Sequence, residues 1–340
     1  MHRMTRLYSL KDIRPMRFKT VFLASALFAS LAATAQANEP FSFIMSWRAQ
    51  AENGGYYQAQ VKGYYAACGL DMTLRQGGAG IDTAQLLTGG AVDAAMVSQN
   101  DGVMRMNQAG FAARAVMAGF QRLAQTLDVH PDSGIEKLED IKGHPIMLAA
   151  GNRNTIWPFL KQKYGLSDDQ LRSFTGQFAP FLQDKNAVVQ DLITNGPFVI
   201  KQQAGMDVRF FLLADYGYEP YSSVVAVSQK LIDQKPKAVQ CLVDASRKGW
   251  VDYLKNPQPA FAEIQKIAPE NTPELMKYAF ETMKKYHLVE TADTDKLGFG
   301  AMTDARWKSH FDMLVANKLF PPDFDYKSSY TLQFLANKPE

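Results

Sequence analysis

Short apolar runs along the chain alternate with segments whose apolar residues recur at helical spacing. The runs predict buried strands in the first part of the chain at residues 41–46, 71–75, 94–97 and 113–120. Between the first two strands, apolar residues from Tyr57 to Cys68 share one helical face, and Gly69 ends the helix. This alternation predicts a mostly parallel sheet that is covered by helices on both faces.

A second series of strands and helices follows a charged, proline-containing stretch at 130–142, which we interpret as a crossing between two lobes. It comprises segments at 145–149, 154–164 (helical), 178–182, 187–194 (helical), 197–201 and 208–213. A buried strand at 223–228 and a mostly helical remainder complete the chain. We therefore predict an α/β protein of two lobes, the first formed by residues 38–130 and 222–340 and the second by residues 131–221. Ligands bind beyond the carboxyl ends of parallel strands, so two such lobes predict a cleft for a small molecule.

Residues 1–37 have the pattern of a signal peptide. Arg17 and Lys19 precede an apolar run at 21–33, and Ala35-Gln36-Ala37 fits the small-x-small rule for cleavage. The run is shorter than the roughly 20 residues that span a bilayer. The mature protein is therefore predicted to be soluble and exported, most simply to a bacterial periplasm.

The formal charge of +3 belongs largely to this segment, which holds six basic side chains and one acidic one. The rest of the chain carries two more acidic than basic side chains, a poor match for nucleic acid.

Motifs of catalysis and of metal binding are mostly absent. The chain has no phosphate-binding loop, no G-x-S-x-G, no H-E-x-x-H and no C-x-x-C, and its histidines lack ligand spacing. The two cysteines, Cys68 and Cys241, are too few for a metal site. They are either a disulfide of an oxidising compartment or two buried thiols. We predict no catalytic residue, no metal and no cofactor.

Aromatic side chains are concentrated at predicted strand ends and turns. Trp47 directly follows the first strand, and three tyrosines lie within residues 215–221. Such side chains stack well on a flat, weakly charged ring, whose polar atoms nearby amide, hydroxyl and carboxylate groups would bind. The predicted ligand-binding residues are Trp47, Tyr56, Tyr57, Gln99, Asn100, Asn152, Thr155, Trp157, Asn195, Tyr218, Glu219 and Tyr221. Trp250 and Trp307 lie on helix faces and are assigned to packing.

Several blocks of the sequence resemble the periplasmic substrate-binding proteins of ABC importers. The branch includes binders of thiamine pyrimidine precursors and of nitrate, sulfonates and taurine. The blocks, in order, are Ser46-Trp47, Glu52-Asn53-Gly54-Gly55-Tyr56-Tyr57-Gln58-Ala59, Gly63-Tyr64-Tyr65, Gln85-Leu86-Leu87, Gly90-Ala91-Val92-Asp93, Asp215-Tyr216-Gly217 and Lys235-Pro236. The resemblance covers essentially the whole mature chain. Family members often carry a Glu before Pro197, where this chain has Gly196.

The resemblance implies a two-lobed periplasmic-binding-protein (Venus-flytrap) fold with two crossing segments, and ligand capture by hinge closure. It also implies docking to an inner-membrane permease, with the protein itself a monomer. The leading hypothesis is a non-enzymatic binder of a pyrimidine-like heterocycle. The alternative is a binder of a small anion such as a sulfonate or nitrate, for which Arg48 and Arg153 are the candidate ligands. A eukaryotic relative of this fold makes the thiamine pyrimidine with a cysteine-rich motif that this chain lacks.

Overall fold

The computed structural model describes residues 37–78, 80–149, 152–153 and 155–336. Residues 1–36 of the predicted signal peptide lie outside the described residues. The strands are β1 (Glu39–Ile44), β2 (Leu70–Arg75), β3 (Ala94–Gln99), β4 (Ala113–Phe120), β5 (Gln125–Val129), β6 (Ile146–Leu148), β7 (Leu171–Ser173), β8 (Val188–Leu192), β9 (Arg209–Leu212) and β10 (Ser222–Ser228). Within the described part of the chain, no helix combines the length and apolar character needed to cross a membrane.

The α-helices cover both sheets and dominate the last third of the chain. They are α1 (Gly54–Val61), α2 (Tyr64–Ala67), α3 (Thr83–Thr88), α4 (Asp101–Gln108), α5 (Ile156–Tyr164), α6 (Ala179–Gln183), α7 (Gly196–Ala204), α8 (Gln229–Gln234), α9 (Pro236–Lys255), α10 (Gln258–Ile267), α11 (Pro273–Lys285), α12 (Ala292–Leu297) and α13 (Asp304–Ala316). The predicted first helix is in fact two, because Gly63 adopts a left-handed conformation with φ of 69° between α1 and α2.

The strands form two five-stranded sheets of the same design. The first has the order β2-β1-β3-β10-β4 and the second the order β7-β6-β8-β5-β9. In each sheet the first three strands are parallel, and the fourth, β10 or β5, runs antiparallel to both of its neighbours. Each antiparallel strand enters its sheet directly from a crossing, at residues 121–124 for β5 and 213–221 for β10.

The first crossing lies earlier than the sequence predicts. Strand β5 falls within the segment 38–130, which the sequence assigns to the first lobe, but it pairs with β8 and β9 of the second sheet. The prediction is wrong for this strand because Thr126 and Asp128, both fully buried, interrupt the apolar run that would have marked it. The predicted helix at 187–194 is also wrong, since it contains β8, whose Val188 and Val189 are β-branched and buried.

The first sheet is held by a large apolar cluster and by a covalent bond. Trp250 of α9 is fully buried and stacks on Phe299 with ring centroids 4.8 Å apart. Trp307 of α13 is equally buried and stacks on Tyr330 at 4.5 Å. The prediction that both tryptophans serve packing is confirmed. The cysteine alternatives are resolved in favour of a disulfide, which joins the end of α2 to α9 with the two Cα atoms 5.6 Å apart.

Candidate functional site

The facing edges of the two sheets form the candidate site. Because β1 and β3 are parallel, their carboxyl ends lie at the same edge of the first sheet. Hydrogen bonds join that edge to the other part of the molecule. The Thr194 hydroxyl, just after β8, donates to Glu52 Oε1, and the Tyr218 hydroxyl, in the second crossing, donates to Gln99 Oε1 at 2.8 Å. The cleft predicted beyond the strand ends is therefore the place where polar groups of both sheets meet.

Three amide side chains, from β5, β8 and the segment after β6, form a hydrogen-bonded set, which we call the amide network. Gln125 Nε2 donates to Asn152 Oδ1 at 3.1 Å, and Asn152 Nδ2 donates to Gln190 Oε1 at 2.6 Å. Gln125 Oε1 is buried and has no hydrogen-bond partner. The network is uncharged and keeps a free acceptor, so it suits a neutral ligand that carries a hydrogen-bond donor.

Three buried carboxyl groups form a second set, which we call the acid cluster: Glu52, Asp128 and Asp191. Burial raises the pKa of Glu52, raises that of Asp128 well above its ordinary value and raises that of Asp191 to about 7. Neighbouring negative charge adds to the effect, since Asp191 raises the pKa of Asp128 and Glu52 raises that of Asp191. Among the described residues no basic side chain forms a salt bridge with any of the three. The cluster therefore favours its protonated form.

Gly196 packs directly against the acid cluster. A Cβ at this position would lie 2.8 Å from Asp128 Oδ2 and 2.8 Å from Asp191 Cβ. No side chain fits there without displacing a carboxyl group. The departure from the family pattern therefore has a structural reason, since the carboxyl groups of Asp128 and Asp191 already occupy this corner.

A small cavity of about 20 Å³, enough for roughly one water molecule, lies beside the acid cluster. Its walls come from the loop after β1, the loop after β8 and α11. The lining residues are Gln50, Ala51, Glu52, Thr194, Asn195, Asn271, Leu275, Met276 and Ala279. Of the predicted ligand-binding residues, only Asn195 is among them, and its Nδ2 lies 3.4 Å from each carboxylate oxygen of Asp191.

Most of the predicted stacking rings lie inside the protein. Tyr56 and Tyr57 are buried in the core of the first sheet, Trp157 and Tyr218 in that of the second, and Tyr221 in the cluster around Trp307. Trp157, Tyr218 and Tyr221 form hydrogen bonds within the protein, whereas the buried hydroxyl groups of Tyr56 and Tyr57 have no partner in the described part of the chain. The Tyr221 hydroxyl accepts the N–H of Thr303 at 2.9 Å, and Arg306 Cζ lies 4.0 Å from the centre of the Tyr221 ring. Trp157 Nε1 donates to Asp168 at 2.7 Å. All five rings are buried in the described structure, and their role in stacking on a ligand stays a prediction.

The other predicted residues lie at or near surfaces. Trp47, which follows β1, is 46% exposed, and its carbonyl accepts the N–H of Gly77 beyond β2 at 3.0 Å. Thr155 immediately precedes α5 and is half-buried, while Glu219 is exposed in the second crossing. Gln99 and Asn100 are buried at the end of β3. The roles of these residues in ligand binding stay predictions.

The two arginines proposed for an anion are engaged elsewhere. Arg48 is largely exposed and pairs with Glu270 at 3.6 Å. Arg153 donates from its Nη2 to the Ser173 hydroxyl at 2.6 Å on the outer strand β7. The described residues also contain no group of three His, Cys, Asp or Glu side chains that could hold a metal ion.

Sequence reasoning missed Gln125, Gln190 and the whole acid cluster. The signal that could have found them is the placement of polar residues within apolar strands, as in Gln-Thr-Leu-Asp-Val at β5 and Val-Val-Gln-Asp-Leu at β8. Buried polar residues in a strand need partners or a function, so such residues are candidates for a site.

Known proteins with the same fold include binding proteins and an enzyme. The periplasmic aliphatic sulphonate binding protein SsuA of Escherichia coli superposes with a TM-score of 0.62 at 14% identity, over 86% of this chain and 92% of that one. The desulfurization enzyme DSZB superposes with a TM-score of 0.58 at 15% identity, over 88% and 98%. The predicted two-lobed periplasmic-binding-protein fold is confirmed, whereas the fold alone does not separate binding from catalysis.

Sequence comparison with known proteins identifies the family of this chain. The chain is 25% identical to the riboflavin-binding protein RibY of Chloroflexus aurantiacus over 322 residues, which is 92% of this chain and 91% of that protein. A family model described as NMT1/THI5 like matches residues 50–260, more than half of the chain. The family resemblance predicted from the sequence blocks is confirmed: this chain belongs to the NMT1/THI5-like family.

Proposed function

We propose that this protein is the solute-binding component of an ABC importer and captures a small, uncharged heteroaromatic compound between its two sheets. The amide network and the neighbouring amides Gln99 and Asn100 bind the polar atoms of the ring. Trp47 supplies the exposed aromatic surface at the same edge. Asn152, Thr155, Asn195 and Glu219 remain candidate contacts from the second sheet and its crossing.

The observation that carries the proposal is the neutral character of the amide network, which offers hydrogen bonds without charge beside the acid cluster at the same edge. Gln125, Asn152 and Gln190 offer both donors and acceptors without a net charge, as a heterocycle with ring nitrogens and carbonyl or amino substituents requires. A sulfonate or nitrate presents only acceptors and is bound best by paired basic groups or by free backbone N–H groups.

A small anion is the second candidate function. The similarity of the fold to a sulphonate-binding protein favours it. Its expected ligands are Arg48 and Arg153, which would have to leave Glu270 and Ser173. Reversible binding is favoured over a thiol-dependent reaction in either case, because Cys68 and Cys241 are joined to each other.

The same family assignment supports a cellular setting for this function. The predicted signal peptide and the disulfide both support export to an oxidising compartment, the periplasm. There the protein binds its ligand as a monomer and delivers it to an inner-membrane permease. Residues 121–124 and 213–221 serve as the hinge, and closure about them buries the ligand.

The proposal is tested by titrating the purified mature protein with riboflavin, with 4-amino-2-methylpyrimidine and with propanesulfonate. Calorimetry measures affinity, and small-angle scattering measures compaction at saturation. Asn152→Ala is the site variant, and Asn186→Ala, an exposed asparagine of the same lobe, is the matched control.

We expect a heterocycle to bind and to compact the protein, with the affinity reduced about tenfold in Asn152→Ala and unchanged in Asn186→Ala. Binding and compaction by propanesulfonate alone would replace this function by the second candidate. Mass spectrometry of the small molecules that co-purify with the native protein identifies the physiological ligand.

A further inference from the structure

The side chain of Asn100 is fully buried and has no hydrogen-bond partner at either Nδ2 or Oδ1. Both backbone groups of Asn100 are hydrogen-bonded, since its N–H donates to Tyr221 O at 3.1 Å and its carbonyl accepts the N–H of Val103 at 3.2 Å. Although Asn100 is the N-cap residue of α4, its side chain does not cap that helix. A buried amide group without partners costs about 1–3 kcal/mol. The fold therefore carries a destabilising side chain that does no structural hydrogen bonding.

Asn100 lies at the carboxyl end of β3, the central strand of the first sheet. The preceding residue, Gln99, accepts the Tyr218 hydroxyl from the second crossing, so this strand end faces the other part of the molecule. Asn100 also borders that crossing directly, through its backbone hydrogen bond to Tyr221. Asn100 thus lies at the strand end that faces the second sheet, beside the second crossing.

An asparagine amide presents one donor edge and one acceptor edge side by side. The complementary partner is a ring edge with an adjacent acceptor and donor. A carbonyl next to a ring N–H has this form, and so does a ring nitrogen next to an amino group. A sulfonate or nitrate offers acceptors only, so it would leave Asn100 Oδ1 facing a negatively charged oxygen.

Building on the proposed function, we propose that Asn100 determines the specificity of this protein for heterocycles that carry such a donor–acceptor edge. Nδ2 donates to the acceptor atom of the ring, and Oδ1 accepts from its N–H or amino group. The ligand class is therefore oxo- or aminopyrimidine-like rings, including fused rings with the same edge, and excludes analogues whose donor nitrogen is methylated.

The test compares paired probes that differ only in the donor. The pairs are riboflavin with 3-methylriboflavin and 4-amino-2-methylpyrimidine with its 4-dimethylamino analogue. Dissociation constants are measured for the wild type, Asn100→Leu and the smaller Asn100→Ala. Asn317→Leu is the matched control, because Asn317 at the end of α13 also has an unpartnered buried amide oxygen while its Nδ2 donates to Met313 O at 2.7 Å.

We expect the wild type to bind the donor-bearing member of at least one pair about tenfold to a hundredfold more tightly than the methylated member. In Asn100→Leu and Asn100→Ala this ratio falls to about one, while Asn317→Leu keeps the wild-type ratio. Stability gives a second readout. Asn100→Leu unfolds at the same or a higher urea concentration than the wild type, since it removes unpaired buried polar atoms, whereas Asn317→Leu unfolds earlier.

A wild-type ratio that persists in both Asn100 variants overturns the specificity proposal and leaves the proposed function in place. The specificity proposal also fails if Asn100→Leu loses stability as Asn317→Leu does, because Asn100 would then have a structural partner such as a water molecule. If the wild type binds propanesulfonate and none of the four heterocycles, both the specificity proposal and the proposed function fail.

Discussion

The acid cluster and the amide network are both buried polar groups at the edge where the two sheets meet, yet they differ in kind. Gln190 belongs to the network and Asp191 to the cluster, and as consecutive residues of β8 they project to opposite faces of the second sheet. The amides are neutral at every pH of interest. The carboxyl groups have raised pKa values and lie together without a basic partner in the described part of the chain.

This difference assigns ligand binding and pH-dependent stability to different groups. The amide face can bind a ligand without a dependence on proton concentration. On the acid face, the contact between Thr194 and Glu52 links the stability of the molecule to protonation. The structure therefore places the titratable groups on one face of β8 and the neutral groups, which we propose to bind the ligand, on the other.

The largest expected effect is on the pH dependence of stability. Burial raises the pKa of Asp191 to about 7, so between about pH 4 and pH 7 the folded protein holds a proton that the unfolded chain releases. The free energy of unfolding therefore falls as the pH rises through this window, by up to about 1.4 kcal/mol per pH unit from this group. Urea unfolding of the wild type and of Asp191→Asn, from pH 4 to pH 8, measures the difference between the two curves.

Asp323→Asn, a change at an exposed position, is the control and should leave the slope intact. The buried His310 acts in the opposite sense, because burial lowers its pKa to about 4. Its contribution is common to all three proteins and cancels in the comparison. Parallel curves for the wild type and Asp191→Asn would show that Asp191 does not titrate with folding.

Gly196→Ala should produce the next largest effect. The added methyl group would lie 2.8 Å from both Asp128 Oδ2 and Asp191 Cβ, so the cluster or α7 must shift, at a cost of about 1–3 kcal/mol. Chemical denaturation at pH 6 measures the loss. Gln203→Ala, at an exposed position of the same helix, should change stability by less than about 0.5 kcal/mol. Equal stabilities for the two variants would mean that the corner beside Asp128 has room for a side chain.

Tyr218→Phe should have the smallest effect and tests the amide side. It removes the donor to Gln99 Oε1 and leaves that buried oxygen unpaired, a loss of about 1 kcal/mol. Tyr65→Phe is the matched control, since its hydroxyl lies 2.9 Å from Ser246 within the first sheet's own core. Both variants should lose similar stability, but only Tyr218→Phe should weaken ligand binding. Equal ligand affinities in Tyr218→Phe and Tyr65→Phe would show that the hydrogen bond between Tyr218 and Gln99 does not contribute to ligand binding.

The architecture could be predicted because its signals are local. Strands β1 to β4 and β10, the helix ends at glycines and the packing role of Trp250 all follow from apolar spacing and from chain-breaking residues. Strand β5 could not be recognised, because its buried Thr126 and Asp128 obtain their environment from β8, more than 60 residues away in the chain.

The sequence could indicate the sheet edge at which the candidate site lies, but not which residues form it. Strand ends indicate the edge where the polar groups of both sheets meet, whereas aromatic residues are equally suited to packing and to stacking. Spacing cannot distinguish Trp47, which is exposed, from Trp157, which is buried, because only the tertiary fold decides which ring is covered. The acid cluster assembles from three separate segments, and no local pattern brings them together.

The Cys68–Cys241 bond has a mechanical consequence. Both sulfur atoms belong to the lobe of the first sheet, and the chain between them, which includes every strand of the second sheet, forms a closed covalent loop. A force pulling on the two termini is carried across the sulfur–sulfur link and does not load this loop. Unless the link is reduced, stretching the molecule from its ends can extract the outer segments but puts no tension on the strands of the second sheet.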